Sequence, residues 1–135
     1  MKRLFSPPLR IVAVVAVVAV AAGIAAAQQP SAIKRIPLQK IDVPGADYQT
    51  VMGVAEIGPN VDIGRHTHPG IEVGYVLSGE AVLLIDGQPP KTLKAGDSYQ
   101  IPANAIHTAK TGASGSKVIA TYVVKKGEPL AKPAK

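Results

Sequence analysis

Between Ile36 and Val124 no stretch of the chain places apolar residues at helical spacing for three turns. Short β-branched and apolar runs recur there instead, broken by Gly, Pro, Asn and Asp. Candidate strands are Ile36–Ile41, Thr50–Glu56, Glu72–Leu77, Glu80–Asp86, Lys91–Leu93, Asp97–Ile101, Ile106–Thr111 and Lys117–Val124. Breaks fall at Pro44-Gly45, Gly58-Pro59-Asn60, Pro69-Gly70, Ser78-Gly79, Asp86-Gly87, Ala95-Gly96, Pro102-Ala103-Asn104 and Thr111 to Ser116. Asp86-Gly87 signals a hairpin, because Gly takes positive φ without steric cost. Many short strands separated by turn residues predict an all-β fold, an antiparallel sandwich or barrel.

The N-terminal segment belongs to a different class. Lys2, Arg3 and Arg10 precede a run from Ile11 to Ala27 that carries no charge. As a helix that run would reach roughly 26 Å, short of a hydrocarbon core about 30 Å thick. It ends in Ala25-Ala26-Ala27 followed by Gln28-Gln29-Pro30, a small-residue cleavage pattern with a polar start beyond it. Residues 1–27 therefore read as a secretory signal peptide, with an uncleaved anchor as the alternative. The expected location is exported, periplasmic or secreted. The mature chain would then have no stable membrane span.

Residues 28–35 read as a polar lead, 36–124 as the β-domain, and 125–135 (KKGEPLAKPAK) as a basic Pro/Lys tail that is solvated and partly disordered. With 135 residues there is room for one domain only. Fifteen Lys and Arg against nine Asp and Glu give a formal charge of +6. Three of those cations sit in the leader, and what remains gives no argument for nucleic-acid binding. No cysteine is present, which excludes disulfides, thiolate metal sites and cysteine nucleophiles.

The chain has three histidines, and two of them form His66-Thr67-His68, followed by Glu72. In extended backbone, residues two apart share a face, separated by about 6.6 Å. Two imidazoles at that spacing can converge on one cation, with nitrogens about 2.0–2.2 Å from it. Glu72 has the same parity, and the turn at Pro69-Gly70 can return its carboxylate to the same place. His107 has to arrive from across the sheet. The bland reading is solvated or backbone-bonded histidines.

These residues resemble the two motifs of the cupin superfamily. His66, Thr67, His68, three residues, Glu72, six residues and Gly79 follow the first. Gly96, five residues, Pro102, Ala103, Asn104, two residues and His107 follow the second. The sequence departs from those motifs at Asn60, at Asn104, where a glycine is usual, and at Thr111. Asn tolerates left-handed backbone better than most residues. The resemblance covers residues 36 to 124 and implies a jelly-roll β-barrel. It further implies one divalent transition metal (Fe, Mn, Ni, Cu or Zn) held by His66, His68, Glu72 and His107.

Such a centre implies a metal-dependent oxidoreductase of the dioxygenase type acting on a small organic molecule. The alternatives are a non-catalytic ligand-binding module and a purely structural metal. Parity turns Tyr75 away from the metal, and one of Tyr99 and Gln100 lines the cavity. Met52 reads as core filler, and Arg65 as a solvated edge residue rather than an anion site. Small antiparallel barrels cover sheet edges by pairing with a second copy, so a homodimer is expected.

Overall fold

The computed structural model describes residues 32–135, and the expected leader lies outside the described residues. Eight strands follow one another: β1 (Ile33–Asp42), β2 (Tyr48–Ile57), β3 (His66–Thr67), β4 (Gly70–Ile85), β5 (Lys91–Lys94), β6 (Ser98–Ile101), β7 (His107–Lys125) and β8 (Lys132–Pro133). All pair antiparallel within one curled sheet, the jelly-roll barrel expected from the motifs. Among the described residues there is no helix, hence none long and apolar enough to cross a membrane.

Strand β7 is the organising element. Its second half lies between β2 and β4, and its first half between β3 and β4. Strand β4 in turn holds β6 along its first half and β5 along its second. The turn at Asp86-Gly87 forms as anticipated: Gly87 has φ +76°, and the Gln88 amide donates to the Ile85 carbonyl at 3.0 Å.

Two expected turns are not turns. Ser78-Gly79 and Thr111–Ser116 lie inside continuous strands, so four candidate strands merge into two long ones. The register of β4 on β7 shifts between Val76 and Ser78 and again between Gly79 and Ala81. Before these bulges the buried residues of β4 are even-numbered (Gly70, Glu72, Val76); after them they are odd (Ala81, Leu83, Ile85). A bulge that reverses parity keeps both halves amphipathic while the strand bends around the barrel. Gly79 is required at the crossing: its φ is +75°, and a Cβ would run into the carbonyl oxygen of Gly115.

The apolar core joins Val76, Leu83, Ile85, Leu93 and Ile101, with Tyr99, Ala105 and Val118 packed against it. Met52 is half-buried on β2. On the outer face of β4, Ile71, Val73, Tyr75 and Leu77 are 45–48% exposed, so Tyr75 points away from the barrel interior as its parity requires. The first strand begins at Ile33, inside the stretch expected to be a lead.

The segment after Lys125 also departs from expectation. It is largely exposed, but β8 pairs with β3 through His66–Pro133 and Thr67–Lys132, and the Ala134 amide donates to the Arg65 carbonyl at 3.0 Å. It gains order through backbone bonds, which its Lys and Pro content does not reveal.

Candidate metal centre

Each histidine reaches the site by a different route. His66 lies on β3, directly opposite His107 at the start of β7. His68 follows β3, held where its carbonyl accepts the Asn104 amide at 2.9 Å. Glu72 enters from β4, flanked by Ile101 on β6 and Tyr122 on β7. Gly70 makes that entry possible, because a Cβ there would collide with the Val123 carbonyl. Two of the three motif departures, Asn60 and Asn104, keep the backbone geometry that glycine would take. Asn60 (φ +55°) and Asn104 (φ +59°) are the non-glycine residues with positive φ among those described. Asn pays the smallest penalty for that conformation after Gly.

The three imidazoles converge. Ring centroids lie 4.9 Å apart for His66–His68, 4.2 Å for His66–His107 and 5.1 Å for His68–His107. One ligand nitrogen from each lies within 4.8 Å of the other two. Each Nδ1 meets a backbone carbonyl: Gly64 at 2.8 Å for His66, Leu130 at 2.6 Å for His68 and Ala105 at 2.9 Å for His107. A carbonyl only accepts, so each ring donates through Nδ1. In the neutral ring the lone pair is then left on Nε2.

His68 and His107 are 4% and 2% exposed, and their Nε2 atoms have no hydrogen-bond partner. Leaving two such acceptors buried and unpaired costs free energy that a cation would recover. Glu72, 5% exposed, brings Oε2 to 3.0 Å from His68 Nε2 and 3.7 Å from His107 Nε2. The first of these contacts is close but lacks hydrogen-bond geometry. Three imidazole nitrogens and an adjacent carboxylate suit a divalent transition ion, so the residues fit the group that the motifs imply.

Burial favours the neutral imidazole, and it pushes His66 and His107 below their ordinary range. Burial works the same way on His68, but the Glu72 carboxylate and the Leu130 carbonyl outweigh it and hold this ring above its ordinary value. Tyr99 donates from its hydroxyl to Glu72 Oε1 at 2.9 Å, and its ring lies over Gly74, where any side chain would collide with it. Tyr122 stands with its ring centroid 4.8 Å from that of His68. Burial, then the Glu72 charge, drive both phenols well above the usual tyrosine range. Of the pair Tyr99 and Gln100, Tyr99 therefore lines the cavity and Gln100 is exposed.

The cavity above the centre holds about 250 Å³ and runs between the sheet faces. Its walls are mainly apolar, among them Ile33, Val51, Leu83, Val118 and Leu130. Arg65 takes no part in it: both guanidinium NH groups fork onto Asp86 at 2.9 and 2.6 Å, and Nε donates to the Lys135 carbonyl at 3.3 Å.

Three site residues have no counterpart in the sequence reading. Tyr122 shares parity with Val118 and Ala120, and Arg35 shares parity with Ile33, but neither signal identifies a site without the cross-strand register. Leu130 offers His68 a backbone carbonyl, which no side-chain pattern reports.

The profile of the Cupin domain family matches residues 53–128, more than half of the chain. The chain is a cupin. Among characterised proteins, this cupin is 35% identical over 70 residues to dimethylsulfoniopropionate lyase DddW of Ruegeria pomeroyi, a match covering 52% of the cupin and 45% of the lyase. It is 39% identical over 46 residues to dimethylsulfoniopropionate lyase DddQ of the same organism, covering 34% and 23% of the two chains. The cupin thus spans less than half the length of either relative. The crystal structure of that DddQ superposes with a TM-score of 0.64 at 23% identity, covering 76% of the cupin and 51% of the lyase. An oxalate oxidase solved with the substrate analogue glycolate superposes with a TM-score of 0.57 at 21% identity, covering 73% and 57%. At those identities the two superpositions speak to the fold alone.

Proposed function

We propose that this cupin is a metal-dependent enzyme acting on a small organic molecule, with one divalent transition ion held by His66, His68, Glu72 and His107. The observation that carries this reading is the convergence of three imidazoles whose Nδ1 atoms are all committed to carbonyls. When bound, such an ion supplies Lewis acidity and, as iron, manganese or copper, redox activity. The chain's own groups do the rest. Tyr99 fixes Glu72 through Oε1 and leaves Oε2 turned toward His68 and His107.

Dioxygenase-type oxidation is the leading chemistry, supported by an all-nitrogen-and-oxygen donor set beside a mainly apolar cavity. Elimination is the second reading, supported by the local identity with two lyases. A non-catalytic ligand-binding module is the third. The test is elemental analysis of protein purified from its own compartment, followed by substrate assays on the same sample. Oxygen uptake with small organic acids, lost in His66→Ala, supports the oxidase reading. Loss of dimethylsulfoniopropionate without oxygen uptake supports the lyase. Tight ligand binding with no consumption leaves the module.

Two further expectations belong to this proposal. Export rests on residues 1–27, and Edman sequencing of the mature protein would begin at Gln28. The homodimer has a candidate surface in Ile71, Val73, Tyr75 and Leu77, an unbroken apolar row on one strand face that a second copy would cover. Tyr75→Glu should leave a monomer by light scattering.

A further inference from the structure

We propose that Arg35 is the binding site for the substrate's carboxylate, so that the cavity takes a small monocarboxylic acid with its charged end on β1. This deepens the reading above and rests on it only for what holds the other end of the molecule.

Arg35 pairs in register with Ala55 and, like Ile33, lines the cavity. The neighbouring inner positions of β2 are Gly53 and Ala55, small residues that leave space for a long side chain across them. Two arginines fall among the described residues. Arg65 is fully engaged by Asp86, whereas Arg35 makes no ion pair or side-chain hydrogen bond among the described residues. Apart from the histidines, Arg35 is the one cationic residue of the cavity wall, and Glu72 is the one anionic residue. Glu72 is occupied by Tyr99 and the imidazoles, so no acid of the cavity answers the guanidinium.

The side chain is exposed, so water satisfies it until a ligand arrives. A planar fork of donors matches a carboxylate in two parallel hydrogen bonds and binds it more strongly than a neutral amide. Arg35 shares the cavity wall with His66, His68 and Tyr122, which places it on the approach to the candidate ion centre. A cavity of about 250 Å³ is smaller than the usual range for drug-sized ligands, about 300–1,000 Å³. A single cation in so small a space suits one negative charge better than the two of a phosphate monoester.

The test uses the full chain as purified, its metal content measured on the same sample, with butyrate, butyramide and ethyl phosphate as probes followed by amide chemical shifts. The wild-type protein should bind butyrate at least roughly tenfold more tightly than butyramide. Arg35→Met should abolish that preference with metal content unchanged, and Arg35→Lys should keep part of it. Equal binding of butyrate and butyramide overturns the proposal. So does a preference that survives in Arg35→Met, since the carboxylate then sits elsewhere, or tighter binding of ethyl phosphate than of butyrate. An Arg35-dependent preference kept by a sample without metal leaves the carboxylate site standing independently of the ion centre.

Discussion

His68 donates through Nδ1 to the carbonyl of Leu130 at 2.6 Å, across 62 residues of sequence. That bond fixes the tautomer of a candidate ligand from a segment whose composition gives no hint of a role. Outer bonds of this kind typically set metal affinity by one to two orders of magnitude. Deleting residues 127–135 should therefore weaken metal binding about 10–100-fold. The barrel should still fold, since the core cluster lies entirely before Ala120. Competitive titration against a chelator, alongside a thermal melt, reads both effects.

Tyr99→Phe removes the hydroxyl that donates to Glu72 Oε1 at 2.9 Å and weakens the hydrogen bonding of a buried carboxylate. The metal-free protein should lose about 1–3 kcal/mol in urea denaturation. A variant as stable as wild type would show that water replaces the phenol.

The pH dependence of the metal-free protein follows from opposed shifts. His68 is held above the ordinary value of 6.5, so its contribution is fully present below 6.5 and is lost as pH rises through its folded value. His66 and His107 are pushed below 6.5, so the unfolded chain takes up protons first and stability falls as pH drops through that region. Urea midpoints should therefore rise slightly on lowering pH toward 6.5 and fall below it. His68→Ala should abolish the rise and keep the fall.

Gly79 and Gly87 have nearly the same φ, +75° and +76°, in different surroundings. Nothing lies within 4 Å of a Cβ at Gly87, so Gly87→Ala should cost only the left-handed penalty of about 1–2 kcal/mol. Gly79→Ala adds a collision with the Gly115 backbone, worth about another 1–3 kcal/mol. Paired denaturation curves decide whether the bulge is as tight as the geometry states.

Side-chain periodicity made most of the strands readable, while the candidate ligand set, His107 above all, came from the resemblance to the cupin motifs. His66 and His68 stand two apart in extended chain, and Glu72 keeps their parity. The long strands were less legible, because Ser78-Gly79 and Gly112–Ser116 have the composition of turns while acting as bulges. Nothing local separates these cases; the difference lies in what crosses the glycine, here Gly115 against Gly79. Arg35 and Tyr122 needed the pairing of β1, β2, β4 and β7, which one sequence does not contain. Leu130 acts through a backbone atom common to all residues.

The pairing of His66 with His107, and of both with a ring tethered at Leu130, also bears on timing. A growing polypeptide released from N- to C-terminus has His66, His68 and Glu72 in hand long before the third imidazole, and the tether comes later still. An ion held by all three imidazoles would thus be captured in the last stage of maturation, and stalled translation products ending before position 130 should emerge as poor chelators.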